Sequence, residues 1–234
     1  MKKIWLGLVF GLVFSSAWTA VFAAEPVVYD INGGFEKTDT WTKYEEQYRS
    51  WVQQGMQLPD PFIKPKDWYL QSFGNPKLEV ITDAKEAHSG NNCLKLISGS
   101  IYYAGQAWLN TSLTGAALNA DDRITLKVWV KGPADTPFLV QLYLYGVKKD
   151  GGRVVLFDIP KSPGDGKGGP GDIIRGKATP EWKQYTATYT VSDSESAARP
   201  GCRVQYVTPV LEARGVFFDD VEVQVQRSGS AESK

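Results

Sequence analysis

Two alternating segments present aromatic and amide side chains at regular intervals. Ile124-Thr-Leu-Lys-Val-Trp-Val-Lys131 sends Ile124, Leu126, Val128 and Val130 to one face and Lys127 and Trp129 to the other. Phe138 to Tyr145 repeats the pattern, with Val140, Leu142 and Leu144 inward and Gln141, Tyr143 and Tyr145 outward. Aromatic faces of this kind stack on the C–H surface of a sugar ring, and amides bond its hydroxyls. Trp129, Gln141, Tyr143 and Tyr145 therefore form the expected ligand-binding set, joined by Gln205 from a later strand. Trp108, Tyr102 and Tyr103 are further ligand-binding candidates from the preceding segment. The alternative is plain packing, since a chain with eight Trp and eleven Tyr must place many rings somewhere. Trp41 and Trp182 read as packing residues.

Catalytic groups are harder to find. His88 is the sole histidine and sits in the turn Ala87-His-Ser-Gly90, which suits a structural turn residue better than a base. No Ser/His or Cys/His pair has a recognisable context. Glycosidases need two carboxylates across a cleft, and nothing singles out a pair. Tyr143 with Arg203 or Arg153 is a thin version of a polysaccharide-lyase constellation.

One carboxylate demands a partner. Val221, Val223 and Val225 recur with period two, and the parity carries back to Asp219 and Phe217. A buried-face carboxylate is costly unless hydrogen-bonded, paired or metal-bound. Glu36, in Asn32-Gly-Gly-Phe-Glu36, is the expected partner near the other end of the chain. Cys93 and Cys202, the only cysteines, read either as a disulfide or as two unrelated buried thiols.

The elements that would position these groups are mostly strands. Lys2 and Lys3, the apolar run Ile4–Phe14 and small residues through Ala24 predict a secretory signal peptide over 1–23, of bacterial type. That places the mature protein outside the cytoplasm: secreted, periplasmic or at the cell surface, with no membrane segment after cleavage. Zero net charge argues against nucleic acid and anionic membrane surfaces. The remaining chain fits one domain over 24–226, with a polar tail at 227–234. Tyr44, Tyr48, Trp51 and Val52 share a helical face and predict a short amphipathic helix within an insertion at about 42–66. A Gly/Pro-rich flexible loop is expected over about 160–177. About ten short strands, with helix only as an insertion, give an all-β sandwich of two antiparallel sheets.

Several segments together resemble one family. Asn32-Gly-Gly-Phe-Glu36 followed by Trp41, Ala87-His-Ser-Gly90 before a Leu-Lys-Leu strand, Leu126–Lys131, Glu181–Tyr185 and Phe218-Asp-Asp-Val221 match it in order and spacing. The chain resembles the jelly-roll carbohydrate-binding modules of the cellulose- and xylan-binding type, in the galactose-binding-like superfamily. The resemblance implies a jelly roll with a structural calcium ion near the termini. Glu36 and Asp219 would be its side-chain ligands, with carbonyls of Asn32–Gly34 and of Asn91 or Asn92. The competing reading is that Glu36 caps a turn and Asp219 bonds to backbone. The resemblance also implies a non-catalytic, polysaccharide- or oligosaccharide-binding function, with a glycosidase as partner. Alternatives are an interaction or structural domain at the cell surface, its aromatics covered by the inserted helix, and a jelly-roll lyase or hydrolase.

Overall fold

Period-two alternation of apolar residues builds most of this molecule. In the computed structural model the described residues are 25–70, 76–103, 121–147, 153–156, 172–190 and 203–228. The side chains of 143–147, 153–156, 172–173 and 203–207 also fall outside the description. So do the 1–23 segment, Trp108, Cys202 and the Gly/Pro-rich stretch as far as residue 171.

In chain order the elements are β1 (Val27–Tyr29), β2 (Thr38–Trp41), α1 (Glu46–Gln53), β3 (Phe62–Pro65), β4 (Trp68–Leu70), β5 (Lys77–Ile81), β6 (Cys93–Ser98) and β7 (Ser100–Tyr103). There follow β8 (Arg123–Lys131), β9 (Pro137–Val147), β10 (Arg153–Leu156), β11 (Asp172–Lys177), β12 (Lys183–Thr190), β13 (Arg203–Ala213) and β14 (Val216–Gln226). One sheet runs β12-β8-β14-β6-β5, with β1 on β14; the second runs β10-β9-β13-β7-β4, with β11 on β9. All pairings are antiparallel, giving a jelly-roll β-sandwich.

The core fills from alternate positions. Ile124, Leu126, Val128 and Val130 of the first sheet and Phe138, Val140 and Leu142 of the second are buried, as their alternation predicts. Trp68 and Tyr103 pair across β4 and β7 into the same core. Consequently Tyr69 and Tyr102, the next pair along, face outward from the second sheet.

Three expectations need correction. First, Phe217 is not inward. Asp219 pairs with Trp129 and Glu222 with Lys127, so two residues of β14, Asp220 and Val221, oppose one of β8, Val128. This bulge, with Asp220 at φ 45°, inverts the parity. Val216 and Phe218 enter the core, while Phe217 joins Lys131 and Asp219 joins Trp129 on the outer side. Second, the segment expected as a loop to residue 177 ends in β11, where Ile174 is buried against β9. Third, the helix is only Glu46–Gln53. Tyr48 is buried and its hydroxyl donates to the Leu58 carbonyl at 3.0 Å, but Tyr44 precedes the helix and is 76% exposed, and Val52 also faces solvent. The insertion carries one unforeseen strand, β3, which pairs with β2 just before the insertion to form a ribbon beside the helix.

Candidate carbohydrate-binding surface

The outer side of the second sheet carries one cross-strand row. Tyr69 opposes Tyr102, Tyr102 opposes Val210, and Val210 opposes Gln141. Directly opposed residues share a face, so these side chains line one surface. Tyr69 and Tyr102 are half-buried, their ring centroids 6.0 Å apart and planes 32° apart. Burial pushes both phenols above their ordinary range, and at Tyr69 the nearby Asp67 and Asp39 charges add to the effect. They stay neutral hydroxyls at physiological pH, able to donate and accept.

The ribbon and helix continue this surface. Trp41 of β2 lies 6.0 Å from Tyr69, and Trp51 of α1 meets Trp41 edge-on at 4.8 Å. Phe62, opposite Trp41, closes a third side of that ring. Lys64 of β3 is 0% exposed. Its ammonium donates to Asp39 Oδ2 at 3.1 Å and to the Pro65 carbonyl at 3.2 Å. It also stands over the Trp41 ring at 4.8 Å and the Tyr69 ring at 4.5 Å. Burial pulls the Lys64 pKa below its ordinary value, opposed by Asp39 and Asp67. The Trp41 and Tyr69 rings thus share one buried cation and pack against each other in an amphipathic cluster.

The row closes away from that edge. Val210 is fully buried, Thr208 nearly so, and Gln141 only 9% exposed. Gln141 thus has the predicted outward parity but not the predicted access. Tyr143 opposes Thr208 and Tyr145 opposes Tyr206 in backbone register, and Gln205 falls at the bulge between Val204 and Tyr206. The side chains of Tyr143, Tyr145 and Gln205 lie outside the described residues, as does all of Trp108. Tyr103 is core.

Trp129 belongs to the other side of the molecule. Its strand, β8, lies in the first sheet and β9 in the second, so their outward positions do not share a surface. His88 stacks on Trp129 at 3.7 Å, with ring planes 18° apart, and meets Trp182 edge-on. The His88 ring bonds Asp220 Oδ2 at 2.7 Å through Nδ1, and Trp182 Nε1 donates to the Glu86 carbonyl. The 86–92 loop therefore packs on part of this face and leaves Trp129 half-exposed.

Asp219 and Glu36 hold that loop from both ends. Asp219, 0% exposed, accepts the amides of His88 and Ser89 at Oδ2 and that of Asp220 at Oδ1. Glu36 Oε1 accepts the amides of Asn91 and Asn92 at 2.8 and 3.0 Å. A Cβ on Gly90 would come within 2.1 Å of that oxygen, so only glycine admits the carboxylate. The two acids meet through a shared loop rather than directly. Their oxygens already accept amide hydrogens, and among the described residues no three His, Cys, Asp or Glu side chains converge on a cation position. Cys93 is a free, buried thiol whose sulfur lies 3.8 Å from the Glu86 carbonyl, and Cys202 lies outside the described residues.

Tyr69 and Lys64 escaped the sequence reading. Strands of three and four residues show too little alternation to reveal a face, and a lysine flanked by Ile63 and Pro65 carries no sign of burial. Asp67, at φ 66° in the turn between β3 and β4, starts a new strand, but β4 pairs with the distant β7 and not with β3, so no local pattern shows which ring points out.

No family model and no curated protein matches the chain. Among solved structures it is similar to a CBM22-1 xylan-binding domain from Paenibacillus barcinonensis, at 13% identity and TM-score 0.40 over 70% of this chain and 88% of that one. It is also similar to the Stig cyclase Fisc from Fischerella sp. TAU, at 13% identity and TM-score 0.44 over 87% and 100%. A third, described as "CBM4 structure and function", shows 16% identity and TM-score 0.38 over 83% and 98%. Likenesses this distant say nothing of what this chain binds.

Proposed function

We propose that this chain is a non-catalytic carbohydrate-binding domain that takes a sugar of a polysaccharide or oligosaccharide on the Tyr69–Tyr102 platform. The observation that carries the proposal is that pair of tilted, half-exposed rings on adjacent strands, backed by Lys64 and flanked by Trp41. The rings offer C–H stacking and their neutral hydroxyls offer hydrogen bonds. The signal-like sequence of 1–23 supports action outside the cytoplasm, where polysaccharide and a partner glycosidase would be met. Affinity electrophoresis of the mature protein against soluble polysaccharides tests the proposal. Retardation that Tyr102→Ala abolishes is expected; a wild type that migrates freely in every gel overturns it.

A second reading has its own observation. Trp51 of α1 packs edge-on against both Trp41 and Tyr69, so the aromatic group also serves as the seat of the inserted helix. Under that reading the domain works in protein interaction or surface structure. Free migration in the gels, combined with a large fall in Tm for Trp51→Ala, would favour it.

A further inference from the structure

We infer that Lys64 is a positioning residue for carbohydrate recognition, its buried ammonium fixing the orientation in which the Tyr69 ring meets a sugar. This rests on the carbohydrate reading of the Tyr69–Tyr102 platform. A lysine at 0% exposure is expensive, and replacing a buried ion pair by apolar residues is often neutral or stabilising. Stability alone therefore gives little reason for the charge. Geometry gives a better one. Two of the ammonium's contacts, Asp39 Oδ2 and the Pro65 carbonyl, anchor it to the β2–β3 ribbon. Its remaining contacts are the rings of Trp41 and Tyr69, which come from different strands. One cation thus ties the ribbon to the edge strand β4. Tyr69 then stands in a single pose beside Tyr102, and a platform already in its bound pose loses less entropy on binding.

The experiment compares the full mature chain with Lys64→Met, which keeps most of the length without charge, and Lys64→Arg, which keeps charge and ring stacking. The probes are soluble xylan, mixed-linkage β-glucan, galactan and galactomannan in affinity gels. Near-UV circular dichroism is recorded without ligand. Lys64→Met is expected to unfold cooperatively yet lose near-UV aromatic signal and about tenfold or more in affinity, with Lys64→Arg restoring part of both. Wild-type retention with unchanged retention of Lys64→Met overturns the role of Lys64 alone. No retention of wild type on any probe overturns the platform reading, and this inference with it.

If Lys64→Met does not fold, pH decides. The charged groups facing Lys64 are Asp39 of β2 and Asp67 of the β3–β4 turn, with the phenol of Tyr69 on β4. The phenol is held neutral longer than usual. As pH rises toward lysine's ordinary value, wild type should lose affinity before Lys64→Arg does. Parallel profiles overturn the inference.

Discussion

Cys93 shows how much a side chain's surroundings decide its chemistry. The thiol is fully buried, and its pKa is pushed up to about 12, first by burial and then by the charge of Asp219. A thiol without thiolate is a poor nucleophile. Native protein treated with iodoacetamide near neutral pH is expected to leave Cys93 unmodified, and urea should expose it; peptide mapping reads both. Rapid native alkylation would contradict the burial. Asp219 gives a second case. Burial, the largest effect, and the neighbouring Asp220 charge raise its pKa to about 6, against three amide bonds that lower it. Because the folded value exceeds the ordinary 3.8, Asp219's contribution to stability is fully present below 3.8 and is lost as pH rises to about 6. Wild type should therefore gain stability relative to Asp219→Asn between about pH 7 and about pH 4, measured by urea unfolding. Equal pH dependence in the two proteins would sink this assignment.

Among elements, the most consequential junction joins the chain's two ends. The Asn32–Gly34 turn docks on the β14 bulge, where the Val221 amide donates to the Gly33 carbonyl at 3.1 Å. A Cβ on Gly33 would fall 1.8 Å from the Val221 carbonyl oxygen, which explains a glycine there. Glu36 and Asp219 extend the junction to the 86–92 loop. The need for partners at Asp219 was legible in the strand's period, but the bulge was not, because an extra residue leaves the valine alternation intact on one side. Hence the right residue was picked for the wrong face. Glu36→Ala removes the acceptor of two amides and is expected to cost ~1–3 kcal/mol, seen as a lower Tm. EDTA should leave the wild-type Tm unchanged. A fall that added Ca²⁺ reverses would assign the two carboxylates to a cation after all.

At the scale of the whole molecule, alternation reported the fold well and the site poorly. Long strands such as β8 and β9 declare their inner faces, since every second residue meets the core. Alternation cannot say which sheet a strand joins, and β8 and β9, adjacent in sequence, fall in different sheets. Trp129 and Gln141 thus share a pattern but not a surface. The three rings are alike in being half-exposed, and the two outer faces differ in what packs on them: His88 of the 86–92 loop stacks on Trp129, while Tyr69 and Tyr102 meet each other. Paired substitutions should separate the two roles. Tyr102→Ala is expected to weaken glycan binding by ~1–3 kcal/mol with little change in Tm, as for loss of a packed aromatic anchor. Trp129→Ala, which removes the ring beneath His88, is expected to lower Tm while leaving affinity at the wild-type level. Affinity gels and thermal unfolding read both variants. The reverse outcome, binding lost with Trp129 and kept without Tyr102, would move the sugar site to the first sheet and leave the second sheet's row to packing.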